Sequence, residues 1–388
     1  MKTKTWKINK LEEVCEILDN KRIPISQKNR ISGIYPYYGA SGIVDYIDKY
    51  IFDEELVLIG EDGAKWGAFE NSAFIVNGKY WVNNHAHILK PNNEILINKF
   101  LVYFLNYSNL EKYITGATVK KLNQQKLKQI EIPLPPLKEQ ERIVGILDES
   151  FAKIDESIKI LEQDLLNLDE LMQSALQKAF NPLKDNAKEN YKLPQGWEWK
   201  SLGEIGEIIT GTTPSKNNPN FYGNEYPLFK PSDLNGDMII KYASDNLSKL
   251  GFDNARNLPK DTILVVCIGA IGKVGLSGVN GSCNQQINAI IPNSAFTSKY
   301  LFFVCLSNYF QTILKKNASQ TTLPIINKTE FSKLQIPLPP IKEQEQIAMH
   351  LDSVFEKAKA LKELYTKELK DYEELKQSLL DKAFKGEL

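Results

Sequence analysis

Several things are scarce in this 388-residue chain. It has three histidines and four cysteines (Cys15, Cys267, Cys283 and Cys305), with no C-x-x-C pair among them. That excludes a zinc ribbon or a dithiol redox centre and predicts reduced, buried thiols. No apolar run approaches the roughly 20 residues that span a bilayer. The longest lies around "TILVVCIGAIG", residues 262–272. The opening "MKTKTWKINKLEEV" lacks the apolar core of a secretory signal, so a cytoplasmic protein with no membrane partner is expected. No G-x4-G-K-[ST] phosphate loop occurs, and the glycine-rich "IGEDGAKWG" fits no phosphate cradle. Net charge is zero, so the whole chain gives no basic signature.

The chain does carry a repeat, which is worth seeking before local structure. "IPLPPLKEQER" (132–142) returns as "IPLPPIKEQEQ" (336–346), and 12 of the 17 positions in 132–148 match 336–352. The offset of 204 holds to "LMQSALQKAF" (171–180) and "LKQSLLDKAF" (375–384). The stretches before these segments repeat more loosely. "WKINKLEEVCEI" aligns with "WEWKSLGEIGEI" at an offset of 191, as does "YPYYGASGI" with "YPLFKPSDL". "LVLIGEDGAKWG" aligns with "LVVCIGAIGKVG" at 208, pairing Lys65 with Lys273, and "VNNHAHILKP" with "CNQQINAIIP" at 201. A drifting offset means loops of unequal length on a shared frame, and such loops often carry binding function. Four segments follow: 1–131, 132–185, 186–334 and 335–388. Basic residues number 18 against 15 acidic in the first and 15 against 11 in the third. They number 6 against 11 in the second and 9 against 11 in the fourth, so mildly basic segments alternate with acidic ones.

Leu147, Phe151, Ile154, Ile158, Leu161, Leu165, Leu168 and Met172 alternate by 4 and 3, continuing to Ala175 and Ala179. This is the heptad seam of a long helix. In the second copy Lys362 and Lys376 interrupt the seam, so Leu361, Leu364, Leu375 and Leu379 are expected to share its burial. Some 40 helical residues reach roughly 60 Å, too long for a small domain to cover. The two helices are expected to pair antiparallel; the alternative is that each packs on its own domain. "QIEIPLPP" reads as a strand leaving a domain, with Pro136 in the first helical turn and Glu139 and Glu141 favouring the helix N-terminus. A PPII ligand is the other use of such prolines, but duplication beside a helix start opposes it.

Segments 1–131 and 186–334 mix β-like runs ("ELVLIG", "SAFIV", "DTILVVCIG", "INAIIP") with helical patterns ("INKFLVYFLNYSNLEKYI", "TSKYLFFVCLSNYFQTILKK"). Each reads as a compact α+β domain, with a polar linker at Asn181–Gly196.

Taken together, W-x4-L-x-E-[IV] opening each half, "PYYGASGIVDYI", "VNNHAHILKP", "GTTPSKNN" with "FKPSDL", the doubled "IPLPP-x-KEQE" and "KAFKGEL" resemble the specificity subunit of type I restriction–modification enzymes. The resemblance spans essentially the whole chain. It departs at Asn181, where the glycine that follows "AFK" in the second copy is missing. It implies an α+β fold with two pseudo-repeated target recognition domains, separated by two long helices that form an antiparallel coiled coil. It implies a non-catalytic chain that binds double-stranded DNA at two half-sites separated by a gap. Two modification (methyltransferase) subunits and restriction (translocase/endonuclease) subunits are the implied partners. No cofactor is expected on this chain, and S-adenosylmethionine is expected on the methyltransferase subunits. Consistently, "PLPP" lacks the Asn or Asp that lines a flipped base. The alternative is a coiled-coil scaffold without specific DNA binding.

The DNA-contact candidates are polar and aromatic residues on the matched loops. In the first half these are Tyr37, Tyr38, Ser41, Lys65, Trp66, Asn83, Asn84, His85, Lys120 and Lys121. In the second they are Thr212, Thr213, Lys216, Lys230, Ser232, Lys273, Asn284, Gln285, Gln286, Lys315, Lys316, Ser319, Gln320 and Thr321. Amides suit adenine edges, and the lysines suit phosphates. Asn-rich turns can also serve only as caps, and Tyr37 can be core. His85 and His87, two apart, would share a face on a strand, but without further ligands nearby a metal site is not expected.

Overall fold

The computed structural model describes residues 6–116, 118–180, 193–319 and 323–388. Most of the expected linker (181–192), with Gln320 and Thr321, lies outside these residues. The chain divides into two compact units, Met1–Glu162 with Thr366–Leu388 and Gln163–Tyr365.

In the first unit, Lys7–Lys10 pairs antiparallel with Glu131–Leu134. The "EIPL" run is thus a strand that ties the domain's end to its beginning. A four-stranded sheet runs in the order Cys15–Ile17, Ala86–Pro91, Leu56–Gly60, Ala73–Val76. A second runs Gly42–Ile47, Ser32–Gly39, Lys79–Val82, Phe52–Asp53, with Ser32–Gly39 parallel to Lys79–Val82. Leu56–Gly60 is buried at every position, which explains why it reads as an unbroken apolar run. The expected helix over "INKFLVYFLNYSNLEKYI" is shorter, Asn98–Tyr107 followed by a turn of 3-10 helix at Glu111–Tyr113.

The second unit repeats this plan with a longer connection. Glu198–Ser201 pairs with Gln335–Leu338. One sheet runs Ile208–Thr210, Ile287–Ile290, Ile263–Val266, Val274–Ser277, Ile239–Ile240; the other runs Asp245–Leu247, Tyr222–Phe229, Ser282–Cys283. "TSKYLFFVCLSNYFQTILKK" is two helices, Ser298–Leu306 and Asn308–Lys316. They break at Ser307, whose hydroxyl caps the second helix at Phe310 and donates to the Val304 carbonyl.

The long helices are Leu137–Ala179 and Ile341–Lys385. Each begins against the domain it follows. The carbonyl of Pro136 accepts from the N–H groups of Glu139 and Gln140, so Pro136 is the cap residue, one position earlier than expected. Gln140 is fully buried. Its Oε1 accepts from Ile97 N–H (2.9 Å), and its Nε2 donates to the carbonyls of Ile95 and Pro135 (both 2.8 Å). Gln344 repeats the clamp on Thr297, Pro339 and Ala295. The repeated "KEQE" is therefore a joint in which a buried glutamine satisfies backbone groups of the domain and of the chain entering the helix.

Each helix ends in the other unit's core. Phe180 is buried against Tyr300, with Leu176 beside it in the second unit. Phe384 packs on Phe100, Phe104 and Tyr107 in the first, beside Leu380 and Ala383. Within each unit the two helices run antiparallel. Asp155 meets Lys376 (2.5 Å) in the first, and Asp169 meets Lys362 in the second. All eight expected seam residues, Leu147 to Met172, are buried or half-buried. The second helix differs from expectation, since Leu361, Leu364 and Leu375 are exposed. Lys362 and Lys376 keep the heptad positions instead, laying their stems along the seam and sending their ammonium groups to the facing aspartates.

Candidate nucleic-acid interface

In the first unit four loops picked from the sequence converge at one end of the sheets. The hairpin turn at Ala40–Ser41 closes on the strand end at Gly60, where a Cβ would lie 2.9 Å from the Ala40 carbonyl and 2.3 Å from Ala64 Cβ. Only glycine permits that approach. Asn83 N–H donates to the Tyr38 carbonyl (3.0 Å), Glu61 N–H to that of His85 (2.8 Å), and Leu122 N–H to that of Glu61 (2.8 Å). Asp62 and Lys121 form a backbone bridge. These bonds bring Tyr38, Ser41, Asn83, Asn84, His85, Lys120 and Lys121 together.

The second unit repeats the frame bond for bond. Asn284 N–H donates to Phe229 (2.9 Å), Cys267 to Gln286 (2.7 Å) and Ile326 to Cys267 (2.9 Å). A Cβ on Gly211 would meet the carbonyls of Cys283 and Asn284 at 2.1 and 2.3 Å, so Thr212 and Thr213 follow a glycine-only approach. Thr213 bonds Gln285 (2.8 Å), and Lys273 Nζ donates to the Pro231 carbonyl (3.1 Å). Lys230 and Lys216 share Asp245 as partner. Lys315 and Lys316 end the helix leading to Ser319, and all three are exposed. Ser232 is also exposed.

This register corrects the alignment of Lys65 with Lys273. Val57 pairs with Leu89 and Ile263 with Ile290, so the strands correspond at an offset of 206, not 208. Lys65 lies in a long loop near Glu70, whereas Lys273 immediately precedes a strand. The shared glycines had matched two loops of different length.

The candidates divide by burial. Tyr37 is buried, its hydroxyl accepting from Ile25 N–H and its ring under Arg30. Trp66 is buried, donating to the Gly60 carbonyl (3.1 Å). Both shape the loops rather than offer surface. Asn83 and Asn284 are buried too, and their Oδ1 atoms accept from the N–H groups of His85 (2.7 Å) and Gln286 (3.1 Å). The same side-chain-to-backbone turn thus stands in both units, and its exposed residues are Asn84, His85 and Gln285, with Gln286 half-buried.

Beneath the first cluster is a charged network that sequence reasoning missed. His87 does not share a face with His85. It is fully buried, with Nδ1 on Asp19 (2.5 Å) and Nε2 on the Leu122 carbonyl (2.6 Å). Asp19 also accepts from Ile88 N–H and Gln124, while Arg22 and Lys121 pair with Glu61. Burial alone would raise the Asp19 carboxyl, but the hydrogen bond and charge of His87, the Ile88 amide and Arg22 outweigh it and hold it below the usual range. Glu61 is likewise held low against its burial, by Lys121 and Arg22. Asp19, Glu61 and His87 come within 4.8 Å of one another, but guanidinium and ammonium groups already neutralise them. In the second unit the same slot is neutral, with Thr210 bonded to Asn288 (2.6 Å). The spacing of Asp19 and His87 gave no sign of their contact, because it depends on strand pairing.

Two loop clusters of unlike chemistry thus stand on one repeated frame. The chain belongs to the type I restriction–modification DNA specificity family, whose family model matches residues 3–165 and 194–370. It is 31% identical to a putative type I restriction enzyme specificity subunit of Haemophilus influenzae, covering 89% of this chain and 86% of that one. It is 24% identical to the type I restriction enzyme EcoDI specificity subunit of Escherichia coli, over 99% and 88%. A solved structure titled for complex assembly and conformational transition of the type I R-M system has a chain of similar fold (TM-score 0.76, 22% identity, 99% of both chains). So does the HsdS subunit of Thermoanaerobacter tengcongensis (TM-score 0.59, 22% identity, 99% and 98%).

Proposed function

We propose that this chain is the DNA sequence-recognition subunit of a type I restriction–modification complex. It binds a bipartite, gapped site and docks methyltransferase and restriction subunits, which carry the chemistry. The observation that supports this most is the duplicated turn and loop frame, which shares its central backbone bonds and differs in exposed side chains. That is what two readers of unlike half-sites require, since base-edge contacts specify sequence and phosphate contacts only position. Among the described residues no helix is long and apolar enough to cross a membrane.

Mapping methylated bases in cells that carry this chain with its modification subunit tests the reading. The expected result is a two-part motif with a fixed gap. Methylation without a defined motif, or with one uninterrupted half-site, refutes it. Adding one matched heptad to both long helices should change the preferred gap, because helix length sets the spacing; an unchanged gap refutes that role for the helices.

A further inference from the structure

We propose that His85 and Gln286 are the corresponding base-reading residues of the two units, each held by one end, and that Asp62 and Asn284 are their positioning residues. This rests on the DNA-recognition reading above.

The argument starts from the backbone. Residues 85 and 286 occupy the same position of the same turn, with their N–H groups held by Asn83 and Asn284 and their carbonyls by Glu61 and Cys267. The side chain at that position therefore leaves from a point fixed on both sides. Each side chain is then tied once more. His85 Nδ1 donates to Asp62 Oδ1 (2.6 Å), and Gln286 Oε1 accepts from Asn284 Nδ2 (3.0 Å). Among the described residues nothing bonds the other end, His85 Nε2 or Gln286 Nε2. The imidazole is about half exposed.

A polar group held at one end and open at the other loses little freedom when it meets a ligand. Holding Nδ1 on Asp62 also fixes the ring's orientation and so the direction in which Nε2 points. Phosphate contact would not need such orientation, whereas a base edge does, because its donor and acceptor pattern is what distinguishes one base pair from another. The unlike residues at this shared position, imidazole and amide, match the need for two unlike half-sites.

The test uses the chain assembled with its modification subunits and duplexes carrying each of the four base pairs at every position of the mapped target. His85→Ala should lower discrimination roughly 10-fold or more at one base pair of one half-site. Gln286→Ala should do so at one base pair of the other half-site. Asp62→Ala should relax the same position as His85→Ala, and the double variant should be no worse than His85→Ala alone. His85→Gln, which places the second unit's residue on the first unit's turn, should change the preferred base with overall affinity kept. A uniform loss of affinity across all sequences, relaxation of one and the same position by His85→Ala and Gln286→Ala, or unchanged preferences would overturn the proposal. A wild-type complex that prefers no duplex would instead overturn the DNA-recognition reading itself.

Discussion

Replacing Gln140 by alanine tests the joint between domain and helix. The side chain is fully buried and makes three hydrogen bonds, one accepted from Ile97 N–H and two donated to the carbonyls of Ile95 and Pro135, all at 2.8 to 2.9 Å. A buried hydrogen bond contributes about 1 kcal/mol net, and an orphaned buried partner costs about 1 to 3 kcal/mol. The expected destabilisation of the first unit is therefore about 3 kcal/mol. Urea unfolding of the full chain should show it as a lower midpoint with little change in slope, and amide exchange at residues 95–98 should accelerate. Gln140→Glu keeps the volume and the acceptor for Ile97 but turns a carboxylate oxygen toward two carbonyls. It should cost at least as much at neutral pH. A loss below about 0.5 kcal/mol for either variant, the range of ordinary surface changes, would mean that the clamp does not hold the joint.

Phe180→Ala should destabilise the second unit by about 3 to 5 kcal/mol, since the ring is nearly fully buried against Tyr300; thermal or urea unfolding measures this. Because the Asp19 carboxyl is held below its ordinary value, its contribution is complete above the unfolded value of about 3.9 and is lost as pH falls through the lower folded value. The first unit's unfolding midpoint should fall across that acidic range, and Asp19→Asn should flatten the fall. Burial pushes the thiols of Cys15, Cys267 and Cys283 up to about 12 and raises that of Cys305 as well. A thiol-specific chromogenic reagent at neutral pH should leave the folded chain unmodified and titrate four groups once it is unfolded.

The division into repeated helices and drifting domains was legible because both signals are periodic and local. Heptad spacing survives in the seam even where Lys362 and Lys376 occupy it, and their acidic partners lie on the other helix, where no single periodic window sees them. The loops that converge were also readable, since they follow apolar strands and carry glycines. Which of their side chains face outward was not. Tyr37, Trp66, Asn83 and Asn284 look as polar or aromatic as their neighbours, yet they are buried, Tyr37 within a paired strand and the other three in loops that their own hydrogen bonds fold inward. The Lys65–Lys273 alignment failed for a related reason. Glycine spacing is shared by loops of different length, and only strand register separates them. The buried pair Asp19 and His87 joins a 3-10 turn to a strand 68 positions away, a contact no local pattern contains.

The core of the first unit contains Leu380, Ala383 and the ring of Phe384, drawn from the last stretch of the chain. On a ribosome this unit is therefore begun first and completed last. Between Glu162 and Thr366 lie 203 residues, and at about 5 to 20 residues per second they take roughly 10 to 40 s to synthesise. Throughout that interval the surface of Phe100, Phe104 and Tyr107 waits without its cover. The second unit meets no such delay, since Leu176 and Phe180 are made before the domain that receives them. The same repeat that gives the two halves one architecture thus gives them opposite histories during synthesis, and a nascent chain stalled before residue 366 should expose the aromatic surface of its first half alone.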